Sequence, residues 1–168
     1  TSVVVGEDSA TASVQARQVG EAAWAARDEF LVTVHTSAEA IAAGMEIEGQ
    51  IILADAANCV GGAAPGSSAE FLQPLIRHAP QAPATIHLVA PETVEAAREI
   101  RLGDAMQALF ADAAGHPFSV PAQLVSRSDG HFTYRGGLLG GVSGSMGASI
   151  VLRVGAIDGL VASLSAHE

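Results

Sequence analysis

QIILADAANCVGGAAPGSSAEFLQPLIR, residues 50–77, decides the fold class of this chain. Gln50–Asp55 is short, apolar and bounded by polar residues, which predicts a fully buried strand. A loop from Asn58 to Gly66 follows, with glycines at 61, 62 and 66. Ser67-x-x-Glu70 then has the spacing of a capping box, opening a helix through Phe71, Leu72, Leu75 and Ile76. Thr85–Val89 is the next strand, and Pro91 stands where a first helical residue would. Strand, helix, strand, helix in this order implies an α/β layer with a parallel pair joined by a right-handed crossover.

On the amino-terminal side, Ser2–Val5 is a β-branched strand candidate. Ala12, Ala16, Val19, Ala23, Ala26 and Phe30 recur in steps of three and four, so they share one helical face, capped by Asp8 or Ser9. Thr36-x-x-Glu39 is a second capping box. On the carboxyl side the pattern changes. Residues 102–114 are ambiguous: propensity favours helix for Asp104–Ala114, while Gly103 and Gly115 also permit a strand. Gln123–Ser126 and His131–Tyr134 flank Asp129-Gly130, and Ser149–Val154 and Leu160–Leu164 flank Asp158-Gly159, which reads as two hairpins. Between them, Arg135–Gly147 carries six glycines in the twelve positions from Gly136 and is expected to loop over the sheet rather than form a helix. The expected fold is mixed α/β, with parallel strand–helix units in the first two-thirds and antiparallel hairpins in the last third.

The chain has 168 residues, 49% hydrophobic and 15% charged, a balance that supports a packed core rather than disorder. Its formal charge of −10 repels a phosphate backbone, and no basic stripe opposes that field, so nucleic acid is excluded as a partner. Glu46, Glu48 and Asp55 interrupt the longest apolar run, which excludes a membrane span. The single cysteine, Cys59, permits no internal disulfide and suits a reducing, cytoplasmic compartment. Thr1 at the chain start has the chemistry of a nucleophile with its own amine as base, but a cut in a linker is the reading preferred.

Chemistry concentrates in the Gly-rich turn. Glycines let the backbone approach a ligand, and a helix start offers N–H groups to a carboxylate, phosphate or oxyanion. Asn58, Cys59, Gly61, Gly62, Gly66, Ser67 and Ser68 are the binding candidates. Asp55, at a carboxyl strand end, and Asn58 are the weak catalytic candidates. A tight connection whose glycines serve only packing fits the same residues. Cys59 has no histidine at a telling spacing, which favours packing over nucleophilic work. The six histidines show no i, i+4 zinc pair and no H-E-x-x-H, so no metal site is expected inside this chain. His87, mid-strand, reads as a structural or edge position, and His131 as solvated.

The stretch IILADAANCVGGAAPGSSAEFLQPLI resembles the opening of the MlrC-type (microcystinase C-like) carboxy-terminal domain: an Ala-Asp strand end, an Asp-Asn pair, glycines, Ala-Pro-Gly-Asp-Ser, then a Leu-rich helix. Pro91-Glu92-x-Val94, Ser128-Asp129-Gly130-His131-Phe132-Thr133 and Met146-Gly147-Ala148-Ser149 continue the likeness in order. The resemblance implies a domain over residues 31–168, preceded by a joining segment over 1–30 that holds Trp24, Arg27 and Phe30. It implies the substrate-side domain of a bacterial zinc-dependent peptidase or amidohydrolase. Zinc and the hydrolytic centre would lie in the protein's own amino-terminal domain. Small peptides, linearised microcystin among them, would be the substrates, and self-association a further partnership.

Four positions depart from the family pattern. Asn58 and Cys59 stand where the Asp-Asn pair is usual, Ser67 replaces the Asp after Pro-Gly, and Ala90 replaces an Asp before Pro-Glu. Losing the acid at Asn58 removes a base, metal contact or ammonium partner, while the amide can still hydrogen-bond. The alternative function is therefore a non-catalytic anion-binding or scaffold domain with a degenerate site.

Overall fold

The computed structural model describes residues 2–59, 64 and 66–164. These fall into two compact units, Thr1–His35 and Thr36–Glu168. Thr1, the alternative nucleophile, lies outside the described residues.

In the first unit, helix α1 spans Ser9–Ala25. Asp8 caps it, accepting from the Thr11 N–H at 2.8 Å. A 3-10 turn, Arg27–Phe30, follows. Ser2–Val5 does not become a strand: Ser2 Oγ instead donates to the Ala16 carbonyl at 2.6 Å, tying this segment to the helix. No residue of α1 is buried, and Val14, Val19, Trp24 and Phe30 are all exposed. The periodic face read from the sequence is helical only up to Ala25; within this unit Ala12 and Ala16 are half-buried beside residues 2–6, while Val19, Ala23 and Phe30 stay exposed.

The second unit opens with α2, Ser37–Met45, whose capping box forms in both halves at Thr36 and Glu39. Helix α3 (Leu72–His78), strand β1 (Ala84–Val89) and helix α4 (Pro91–Ala96) follow, with Pro91 in the first turn as expected. Then come β2 (Ala105–Ala111), β3 (Pro117–Ser128), β4 (His131–Thr133), β5 (Ser143–Ser145), β6 (Ser149–Val154) and β7 (Ile157–Ala162). The main sheet runs β1-β7-β6-β3-β2, with β1–β7 parallel and the other pairs antiparallel. The fold is mixed α/β, as the pattern implied. No described helix is long and apolar enough to cross a membrane.

Several partners differ from expectation. Gln50–Asp55 is not a buried strand: it forms no ladder, and Ile52 is 87% exposed. The parallel partner of β1 is β7, from the far end of the chain. The Ser67–Glu70 box does not form either. The Ser68 hydroxyl accepts from the Glu70 N–H at 3.2 Å, making a local turn, and α3 starts later, with Phe71 in the capping position. Residues 123–126 and 131–134 do not pair with each other. β3 joins β2 and β6, while β4 pairs with β5 inside the Gly-rich stretch, which also holds a 3-10 turn at Gly137–Leu139. The last hairpin is present, but it turns at Gly155 (φ 61°) and Ala156, so Asp158-Gly159 lies within β7.

Period-two burial decides the ambiguous stretch. Met106, Ala108 and Phe110 of β2 are buried while Ala105, Gln107 and Leu109 are exposed, which only a strand can satisfy. They pack with Val120, Ala122, Leu124, Ile150, Leu152, Ile157 and Val161 from the sheet, and with Leu72, Val94 and Ala97 from the α3 and α4 segments. Thr93, 1% exposed, accepts from the Leu109 N–H at 3.1 Å and donates to the Leu109 carbonyl. Ala69 N–H also donates to Ala111 O at 2.8 Å. These contacts occupy the outer edge of β2, which would otherwise invite another strand.

Gly130 and Gly147 join the small sheet to the large one. Both have positive φ, 74° and 64°, and a Cβ at Gly130 would lie 1.8 Å from the Gly147 carbonyl oxygen. Only hydrogen allows so close a crossing. That crossing accounts for the Asp-Gly and Met-Gly pairs noted in the sequence.

Candidate functional site

An open groove of about 1030 Å³ lies in the second unit, between residues 44–55 and β1. Ile51 and Leu53 lean on Gly44 of α2, where an added Cβ would touch the two side chains at 3.6 and 3.9 Å. The facing wall is β1. Ala84 and Ala90, at its two ends, donate to Ala156 and Ala162 beside β7, at 3.3 and 3.0 Å. Parallel pairing alternates, so the N–H groups of Thr85, His87 and Val89 turn away from β7, towards the groove that all three residues line.

The loop closes one end. The Asn58 side chain donates from Nδ2 to the Ser68 carbonyl at 3.1 Å and accepts from the Ser68 N–H at 3.2 Å. A single carboxamide thus mimics a strand pair and draws residues 58 and 68 together. Asp55 turns the chain into this clasp by accepting from the Asn58 N–H at 3.3 Å, at the head of a 3-10 turn over Ala56–Asn58. Asp55, Asn58, Cys59, Gly66 and Ser68 all line the groove. Ser67 is exposed and is not part of the lining. Gly61 and Gly62 lie outside the described residues.

The helix start offers little to an anion. Leu72 N–H is used by the Ala69 carbonyl and Leu75 N–H by the Phe71 carbonyl, and Pro74 has none. In the loop, Ala64 N–H donates to Cys59 O at 3.3 Å, and Ser68 N–H is held by Asn58. The donors named from the sequence are thus partly spent inside the chain.

Two groove residues were not singled out as site residues from the sequence. His87 read as a structural or edge position, and it does sit on the sheet's edge strand; partial desolvation holds its imidazole below the ordinary histidine range. Its alternation with Thr85 and Val89 was the available signal. Asp158 read as a turn residue but lies in β7 and pairs with Arg153 through two bonds of 2.7 and 2.9 Å, which lower its pKa. Cys59 is an exposed free thiol. Among the described residues no three His, Cys, Asp or Glu side chains gather as a metal would require, so the described donor set does not fit zinc by itself.

The family model for the MlrC C-terminus matches residues 53–167. The chain belongs to that family. This MlrC C-terminus domain also resembles a crystal structure from Mesorhizobium sp. BNC1, named "Putative metallopeptidase". The TM-score is 0.80 at 23% sequence identity, over 91% of this chain and 32% of the other. The domain therefore shares the fold of the matched part of that protein and spans about a third of its length. No curated protein matches the sequence.

Proposed function

We propose that this domain is the substrate-side part of a zinc-dependent peptidase or amidohydrolase, whose metal and hydrolytic centre belong to an amino-terminal domain of the same protein. The observation that carries this reading is the convergence of Asp55, Asn58, Cys59, Gly66 and Ser68 on one groove. Family membership and the solved relative's name support the reaction class.

The chain's own residues bind and orient. The loop at the end of the groove meets a peptide or its carboxylate, and Asp55 and Asn58 fix that loop in place. The site is assembled in a bacterial cytoplasm as part of a larger hydrolase, with small peptides as substrates and linearised microcystin as the type case. No step of hydrolysis is assigned to the described residues.

One observation favours a second reading, a non-catalytic binding or scaffold domain. Asn58 spends both ends of its carboxamide on Ser68, so the position usually held by an acid does structural work here. Elemental analysis and peptide hydrolysis of the complete protein and of this chain separate the two. The peptidase reading expects stoichiometric zinc and chelator-sensitive hydrolysis in the complete protein, and neither in the chain alone. Equimolar, tightly held zinc in the pure chain overturns it; a complete protein that holds no metal and cleaves no peptide leaves the scaffold reading.

A further inference from the structure

The groove has an unusual pair of walls. On one side β1 ends the sheet, with the N–H groups of Thr85, His87 and Val89 directed outward. On the other, residues 50–55 run extended without a ladder partner, with Ile51 and Leu53 seated on α2 and Ile52 turned out to 87% exposure. Met45 and Ile47, also exposed, extend this apolar wall. The opposite edge of the same sheet is covered: Thr93 and Ala69 bond to the outer side of β2. Among the described residues of the second unit, one edge is closed by the chain's own residues, and the other carries no ladder partner beside apolar surface.

A long, flat edge beside apolar side chains is an aggregation hazard that folded proteins blunt or cover. Main-chain groups along one wall select an extended polypeptide, and side chains alternating along the other suit the residues of a strand. Six residues of β1 offer about 20 Å of edge, the length of an ordinary strand. Exposure of both Ile47 and Ile52 in this unit fits a lasting partner better than a substrate that comes and goes. The chain spans 32% of its solved relative, which leaves two-thirds of that protein's length to supply such a strand.

We infer that the groove between residues 50–55 and β1 is the seat of a β-strand from the amino-terminal domain, an assignment that rests on the existence of the domain proposed above. The strand extends the main sheet past β1 and covers Ile51–Leu53. Its end comes to lie beside Asp55, Asn58 and Ser68, so the junction and the substrate loop adjoin each other.

The test uses the complete protein. A photo-reactive benzoylphenylalanine at Ile52, tolerated because that side chain is exposed in this unit, is cross-linked and mapped by mass spectrometry. Amide exchange is followed over residues 51–53 and 85–89, with and without a peptide substrate. Expected are cross-links into the amino-terminal domain, and protection of both segments of about 100-fold or more without any substrate. Cross-links from Ile52 into β1 mean that residues 50–55 close the edge themselves. Protection that appears only with peptide assigns the groove to substrate. Fast exchange throughout leaves the edge open. Each of these three results overturns the strand, while zinc and hydrolysis in the same preparation still uphold the parent reading. A complete protein that has no amino-terminal domain removes both.

Discussion

Asn58 and Ser68 are joined by two reciprocal hydrogen bonds, Nδ2–H to carbonyl at 3.1 Å and N–H to Oδ1 at 3.2 Å, across a ten-residue loop. An aspartate at this position keeps the acceptor and loses the donor, placing a carboxylate against the Ser68 carbonyl. Asn58→Asp and Asn58→Ala are each expected to destabilise the chain by about 1–2 kcal/mol, since a net hydrogen bond contributes about 0.5–1.5 kcal/mol. Faster exchange of the Ser68 amide should accompany the loss. Unfolding midpoints in urea at constant m-value measure the first effect. Unchanged midpoints and exchange would show that the clasp does not hold the loop.

The crossing of Gly130 and Gly147 predicts a sharp split among the glycines. Gly147→Ala forces a positive-φ residue to carry a Cβ 2.3 Å from Ser163 Oγ, and Gly130→Ala sets one against backbone. Both are expected to cost more than about 3 kcal/mol, or to prevent folding. Gly136 has extended backbone (φ 165°) and open space around it. Gly136→Ala should fall within about 1 kcal/mol of the parent and can stabilise, because it restricts the unfolded chain. Thermal melts of the three variants decide. A mild Gly147→Ala would mean that the two sheets are not locked together there.

These examples show which parts of the structure the sequence could express. Local chemistry was legible: the Thr36–Glu39 box, the Asp8 cap, Pro91 in a first turn, and the last hairpin all depend on residues a few positions apart. Long-range pairing was not. β1 takes β7 as its parallel partner, more than sixty positions away, and nothing in Thr85–Val89 alone names that strand. β4 finds β5 rather than β3 because the Gly130–Gly147 crossing swings the chain out of the main sheet.

Gln50–Asp55 is the instructive case. Its apolar composition reads as a buried strand, yet among the described residues it has no ladder partner, and only Ile51 and Leu53 find a neighbour, on α2. At the site, sequence reading located the loop but not the facing wall. His87 and Asp158 enter the groove through the β1–β7 pairing, which the sequence does not announce.

Thr93 tests how the other edge is closed. Its hydroxyl serves both main-chain groups of Leu109 while remaining almost fully buried. Thr93→Val preserves shape and removes both bonds, leaving a donor and an acceptor of β2 without these partners. A loss of about 1–3 kcal/mol is expected, with greater self-association on heating as the β2 edge is freed. Thr93→Ser should recover most of the stability. Calorimetry with light scattering reads both effects; equal melting of the valine variant and the parent would mean that the hydroxyl contributes nothing to the edge.

His87 gives the chain a predicted acid sensitivity. Desolvation lowers its folded-state pKa below the ordinary value of 6.5, so the unfolded chain binds this proton more readily than the folded one. Stability is therefore unaffected by this residue well above pH 6.5. It falls as pH drops below 6.5, and the loss is complete once pH passes under the folded value. Asp158, lowered by its hydrogen bonds to Arg153, acts in a separate window: its contribution persists above 3.8 and disappears in stronger acid. Urea midpoints for the parent and for His87→Gln, followed from about pH 8 to pH 5, should converge in slope only at the upper end. Below pH 6.5 the parent must lose stability more steeply than the glutamine variant. Parallel curves for the two proteins would mean that His87 is as well solvated in the folded chain as in the unfolded one.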